Sequence, residues 1–186
     1  MRADAARRRA ELVRAARHLF AQHGQDVALE AVAAEAGVGI ATLYRNFASR
    51  TALADEVALA ILTDMRTAAD ETVGRPRDEI DQAWPAFVSR LVDLELGALS
   101  DALAEHVTGD LTATVRTAQE DALAAVGRVL DVAREAGLVR ADLAPLELVL
   151  AVGLLTRPLP EPVAREVPDL VPRLVDVLLA GMRPGR

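Results

Sequence analysis

The chain has 186 residues, a formal net charge of −7, 52% hydrophobic residues and only 3% aromatic ones. A core of that composition is built from Ala, Leu and Val, residues whose long stretches with few Gly or Pro favour helices. It contains no cysteine, which excludes disulfides, thiol redox chemistry and Cys-ligated zinc, and His18, His23 and His106 form no metal-binding pair at helical spacing.

Apolar residues Leu12, Ala16, Leu19 and Phe20 recur at three- and four-residue spacing and predict a first helix from about Asp4 to His23, with Gly24 where a helix-ending glycine belongs. Residues 28–47, ALEAVAAEAGVGIATLYRNF, predict two short helices, about Leu29 to Ala36 and Ile40 to Asn46, joined by a tight turn at Gly37. Ala33 and Gly37 are small where two helices must touch, and Leu43 plugs the space between them, which is the spacing of a helix-turn-helix. Phe47 closes this three-helix core with Phe20 and Leu43. Ser49 is a natural N-cap for a fourth helix running to about Val73, with Leu53, Val57, Ile61 and Met65 on one face.

Gly74-Arg75-Pro76 breaks the pattern, and a fifth helix is expected from about Asp78 to Leu99, with Pro85 inside it and Ile80, Trp84, Phe87, Leu91 and Leu94 facing inward. A short helix from Ser100 to about Val107 and a long one from about Leu111 to Ala136 follow, the latter ended by Gly137. Pro145 opens a helix to about Thr156, Pro158, Pro160 and Pro162 make the next stretch irregular, and a last helix runs from about Val167 to Met182. These last two long helices are apolar nearly all round, so one side packs on the chain and the other needs a partner, most simply a second copy. The residues assigned to that homodimer interface are Leu148, Val152, Leu155, Leu170, Leu174, Val177 and Leu178. The expected fold is all-α: an N-terminal three-helix domain, residues 1–48, followed by a roughly six-helix bundle, residues 49–186.

Charge is divided unevenly along this plan. Residues 1–50 hold eight arginines against five acids, and the rest thirteen against twenty-three; there is no lysine. A basic head on an acidic body suits a protein whose head meets phosphate. A sequence-neutral architectural protein would be basic throughout.

The stretch from Ala10 to Leu53 resembles the N-terminal domain of the TetR family of bacterial repressors: Leu19-Phe20 and Gly24, then VAAEAGV, then TLYRNF, then Ser49-Arg50 and Leu53. The resemblance implies that the helix beginning at Ile40 reads DNA. Tyr44 and Arg50 match phosphate-binding positions, and Thr42 one whose hydroxyl meets phosphate or base. Arg45 has the donors to pair with the O6 and N7 edge of guanine, and Ile40 and Ala41 suit a thymine methyl. Gly39 belongs to the same set, at the recognition helix's N-terminus. Arg7, Arg8 and Arg9 have the reach for the DNA backbone or the adjacent minor groove, but are read in preference as a solvated terminal arm. The chain departs from the family pattern at Ala28 and Gly39, where many members carry a hydroxyl that caps a helix and contacts phosphate.

The resemblance further implies a small-molecule effector inside the body, whose binding moves the two heads of a dimer off successive major grooves. Trp84, Phe87, Leu91, His106, Arg116 and Gln119 are candidates for the lining of a mostly apolar site. No Gly-rich phosphate loop, Cys nucleophile or paired metal ligands point to an enzyme, and no metal or other cofactor is expected. The basic start is interrupted by Glu11, Arg14 and Arg17, and no apolar run reaches the roughly 18 residues of a bilayer span, so the expected setting is cytoplasmic with no membrane partner. The function expected is that of a ligand-responsive repressor binding a palindromic double-stranded DNA operator. The alternative is a dimeric ligand-binding bundle whose helix-turn-helix has lost specific DNA binding, a reading that the two missing hydroxyls favour.

Overall fold

The computed structural model describes residues 2–24, 26–96 and 112–185. The described residues form helices α1 (Arg2–His23), α2 (Leu29–Glu35), α3 (Ile40–Asn46), α4 (Arg50–Val73), a 3₁₀ turn (Arg77–Glu79), α5 (Ile80–Asp93), α6 (Ala113–Glu135), α7 (Pro145–Leu155), α8 (Glu161–Glu166) and α9 (Leu170–Gly181), with no strand among them. The helix expected at Ser100 to Val107, with His106, lies outside the described residues. None of the helices among the described residues is long and apolar enough to cross a membrane.

The head is built from α1 to α3 and the start of α4. Leu12, Ala16 and Phe20 of α1 join Leu29, Val32 and Ala33 of α2, Leu43 of α3, Phe47, and Leu53 and Val57 of α4 in one buried cluster. The turn between α2 and α3 is closed by two bonds, Val38 N–H to the Ala33 carbonyl at 2.9 Å and Gly37 N–H to the Ala34 carbonyl at 3.0 Å. That pairing requires the residue after the cap to be left-handed, and Gly37 has φ +67°, which glycine adopts without steric penalty. Ser49 caps α4 as expected, its hydroxyl accepting from the Ala52 N–H at 3.1 Å.

The long α4 leaves the head and becomes the spine of the body, packing on α1, α5 and α6. Its inner face, Ile61, Leu62, Met65, Ala68 and Ala69, continues into the same buried cluster as Trp84, Phe87, Val88 and Leu91 of α5 and Val126, Val129 and Leu130 of α6. Pro85 lies inside α5 without ending it.

Three expectations need correction. First, α5 stops at Asp93, short of Leu99, and Glu95 follows with a left-handed φ of 50°. Second, the proline-rich stretch contains α8, because Pro162 stands in the first turn, where its missing N–H costs nothing. Third, Leu148 and Val152, assigned to a dimer interface, are each 0% exposed within the single chain and have no area to offer a partner. Helix α7 packs against α5 and α6. An added Cβ on Gly127 of α6 would meet the Pro145 ring at 3.5 Å, and one on Gly153 would meet Leu96 at 3.7 Å.

One arginine joins head to body. Arg17 of α1, whose side chain is 15% exposed, donates to the Leu94 carbonyl at 2.9 Å, pairs with Asp64 of α4 at 2.7 Å and approaches Glu95 at 3.7 Å. Beside it His18 meets Glu95 at 3.0 Å. Arg17→Ala leaves a carbonyl and two carboxylates without this donor. It is expected to lower the unfolding free energy by about 2 kcal/mol, read as a fall in the urea midpoint at unchanged slope.

Candidate nucleic-acid interface

Helix α3 presents two different sides. Leu43 is 0% and Phe47 2% exposed, so the inward side is spent on the head core. One notch round the helix, Ala41 and Arg45 are exposed, and Tyr44 is 53% exposed, the largest apolar surface in the head. Ile40 and Thr42 are half-buried at the edges of this face, and Gly39 is exposed at its N-terminal end. The structure thus puts Ala41, Tyr44 and Arg45 on one accessible side of a two-turn helix, with Ile40 and Thr42 at its two edges and Gly39 at its N-terminal end.

The polar groups on this face are organised before any partner arrives. Arg45 folds back over its own helix, donating Nε to the Ala41 carbonyl and Nη2 to the Thr42 hydroxyl, both at 3.1 Å. The Asn46 amide donates to the Thr42 carbonyl at 2.8 Å. Arg50, at the start of α4, donates Nη1 to the Val27 carbonyl at 2.6 Å, tying α4 to the loop before α2.

The N-terminal ends of α2 and α3 are both uncapped by side chains. Ala28 and Gly39 hold the extended N-cap backbone, φ −60° ψ 133° and φ −76° ψ 148°, with no hydroxyl to accept from the first turn.

Arg9 belongs to the neighbourhood of this face and not to a solvated arm, whereas Arg7 and Arg8, on the same helix α1, are exposed. Arg9 donates to the Asn46 carbonyl at 2.8 Å and to Glu56 of α4 at 2.9 Å, and its guanidinium lies 4.3 Å over the Phe47 ring. The signal was present in the spacing, since Arg9 continues the stripe of Leu12, Ala16 and Phe20 toward the N-terminus. The run of three arginines hid it.

Of the residues expected to line an effector site, Trp84 and Phe87 are 3% and 2% exposed and Leu91 is fully buried, while Arg116 is exposed. Gln119 is 4% exposed, and its buried Oε1 has no hydrogen-bond partner among the described residues. An open cleft of about 450 Å³ lies between α4 and α6, lined by Leu59, Leu62, Thr63, Arg66, Thr117 and Asp121 among others. None of the expected residues lines it. Among the described residues no group of three His, Asp or Glu is placed to hold a metal ion.

Comparison with known proteins decides the lineage of this architecture. Residues 12–57 match the model of bacterial regulatory proteins of the TetR family, and residues 79–184 match that of the SbtR-like transcriptional regulator C-terminal domain. The chain belongs to the TetR family. It is therefore a DNA-binding transcriptional regulator by descent, and α3 lies within the residues matched by the N-terminal family model. A TetR regulator from Mycobacterium vanbaalenii is 30% identical over 98% of this chain and 99% of its own, with a TM-score of 0.60. One from Streptomyces coelicolor is 27% identical over 96% and 99%, with a TM-score of 0.61. A gamma-butyrolactone receptor described as ArpA-like is 25% identical over 97% and 90%, with a TM-score of 0.54. No curated protein matches the sequence.

The cap positions give a test of the local geometry. The Ala28 backbone already has N-cap dihedrals, so Ala28→Ser is expected to stabilise the protein by about 1 kcal/mol, measured as a raised thermal midpoint. Gly39→Ser should add only a few tenths, because glycine is itself a fair N-cap.

Proposed function

We propose that this TetR-family chain is a ligand-responsive repressor that binds a palindromic operator as a homodimer. The domains divide at residue 48, with 1–48 reading DNA and 49–186 binding effector and partner. The observation that carries the reading is the exposed face of α3, where the Tyr44 phenol, the Arg45 guanidinium and Ala41 share one side of a helix narrow enough for the major groove, with Ile40 and the Thr42 hydroxyl at its edges. In this reading Tyr44, Thr42 and Arg50 hold phosphates, Arg45 leaves its intrahelical bonds for a guanine edge, and Ile40 and Ala41 meet thymine methyls. Gly39 lets the phosphate backbone approach the N-terminus of α3.

The dimer is supported by where large apolar side chains remain in water. Leu150, Leu154, Leu159, Val163, Val167 and Val177 are each at least 40% exposed, and all belong to the stretch from α7 to α9. Leu155, Leu170, Leu174 and Leu178 lie half-buried among them. Such a concentration is unusual on a monomer and typical of a surface completed by association. A double substitution, Leu154→Glu with Val177→Glu, should convert a wild-type dimer to monomer in sedimentation.

The effector is proposed to be mostly apolar and to enter the body between α5 and α6, with Trp84, Phe87 and Leu91 as the apolar wall and Gln119 as the orienting polar group. The unsatisfied Gln119 oxygen supports this, because a buried acceptor without a donor is costly unless a ligand supplies one. The similar gamma-butyrolactone receptor is named for a small-molecule ligand, which points the same way. Arg116 lies at the solvent side of such a site, and His106 belongs to the same assignment.

The test is fluorescence anisotropy with a duplex selected by the protein from random sequence, against a scrambled duplex, at two salt concentrations. Preference above about 10³-fold, weakened by salt, is the expected result. Tyr44→Phe should weaken the specific complex while leaving the thermal midpoint in place. A dimer that enriches no sequence would support the alternative, a ligand-binding bundle that no longer reads DNA.

A further inference from the structure

We propose that Arg9 is the positioning residue of the recognition helix: a clamp that fixes the C-terminal end of α3 against α1 and α4, without touching DNA itself. This rests on the reading of α3 as the DNA-contacting helix.

The reasoning begins with how little else holds α3. At seven residues it is far below the length at which a helix is stable alone. Its N-terminus has no side-chain cap, since Gly39 supplies none. Its inward side contributes a single fully buried residue, Leu43, with Phe47 just beyond its end. Rotation about that anchor would swing Ala41, Tyr44 and Arg45 through an arc, and base readout tolerates little such movement.

Arg9 opposes the rotation from three directions. Nη1 binds the Asn46 carbonyl, one of the last carbonyls of α3 with no partner inside the helix. Nη2 reaches the Glu56 carboxylate on α4, and the flat face of the guanidinium covers the Phe47 ring. A cation at a helix C-terminus also complements the helix dipole. These contacts need a planar, forked cation; a lysine ammonium can keep the charge but cannot bind both acceptors and stack at the same time. The side chain is 39% exposed, so its charge is seen from solvent, which is why its role must be separated from a direct phosphate contact.

The experiment compares wild type, Arg9→Lys, Arg9→Ala and Glu56→Gln in two arms. In the free protein, amide hydrogen exchange is followed residue by residue. Arg9→Lys and Arg9→Ala are expected to speed exchange across residues 43–47 by about tenfold relative to α2, with Glu56→Gln intermediate. In the second arm, affinity for the wild-type-selected duplex is measured across a salt series. Both Arg9 variants should bind about tenfold more weakly, with the slope of log affinity against log salt unchanged because no phosphate contact has been lost. Wild-type affinity in Arg9→Lys, with a slope reduced by about one in Arg9→Ala, would overturn the clamp and make Arg9 a phosphate contact. Unchanged exchange at residues 43–47 in every variant would overturn it too. If Arg9→Ala does not fold, Arg9→Lys and Glu56→Gln decide the matter. A wild-type chain that selects no duplex would refute the reading of α3, while the exchange arm would still decide whether the clamp exists.

Discussion

The head depends on one buried side chain in a very short helix. Leu43 sits at 0% exposure in the head core, and with it in place the helical repeat dictates where every neighbour must go. Phe47, four residues on, falls inward. Ala41, Tyr44 and Arg45 fall outward. A hydrophobic contact worth about 2 kcal/mol in burial thus decides which chemistry the chain shows to its surroundings. The turn glycine serves the same end, since Gly37 lets α3 leave α2 at the angle that points Leu43 home.

What lies around that anchor is mostly arginine doing structural work. Arg9 ties α3 to α1 and α4, Arg50 ties α4 to the loop before α2, and Arg17 ties α1 to the end of α5. Helix α5 carries Trp84, Phe87 and Leu91 on its buried side and ends beside the carbonyl that Arg17 holds. A displacement of α5 in the body has a direct polar connection to the first helix of the head, alongside the continuous α4. The basic surplus of the first fifty residues is therefore only partly available to phosphate.

Much of this was legible in the sequence because local rules decide it. The bounds of α3, the Ser49 cap, the left-handed Gly37 and Gly137, and the inward stripes of α4 and α5 all follow from spacing and from residues with strong preferences. The misses share a different cause. Arg9 and Arg17 find partners 37 to 77 positions away; the stripe that Arg9 continues gives its inward direction, but no periodicity names the partner. Helix α8 was hidden because three prolines read as a loop, although proline is welcome in a helix's first turn. Leu148 and Val152 looked like interface because α7 is apolar on every side, and the sequence alone does not say which side the body covers. The uncapped starts of α2 and α3 were visible at once, from Ala28 and Gly39.

The chain contains a single tyrosine, and it lies on the outward face of α3. Protein labelled with 3-fluorotyrosine therefore gives one ¹⁹F resonance that reports on Tyr44 alone. If α3 reads DNA, that resonance shifts on addition of a sequence-selected duplex and stays in place with a scrambled duplex at the same salt concentration. A resonance that does not move while the selected duplex is demonstrably bound would place the DNA on another surface and contradict the account.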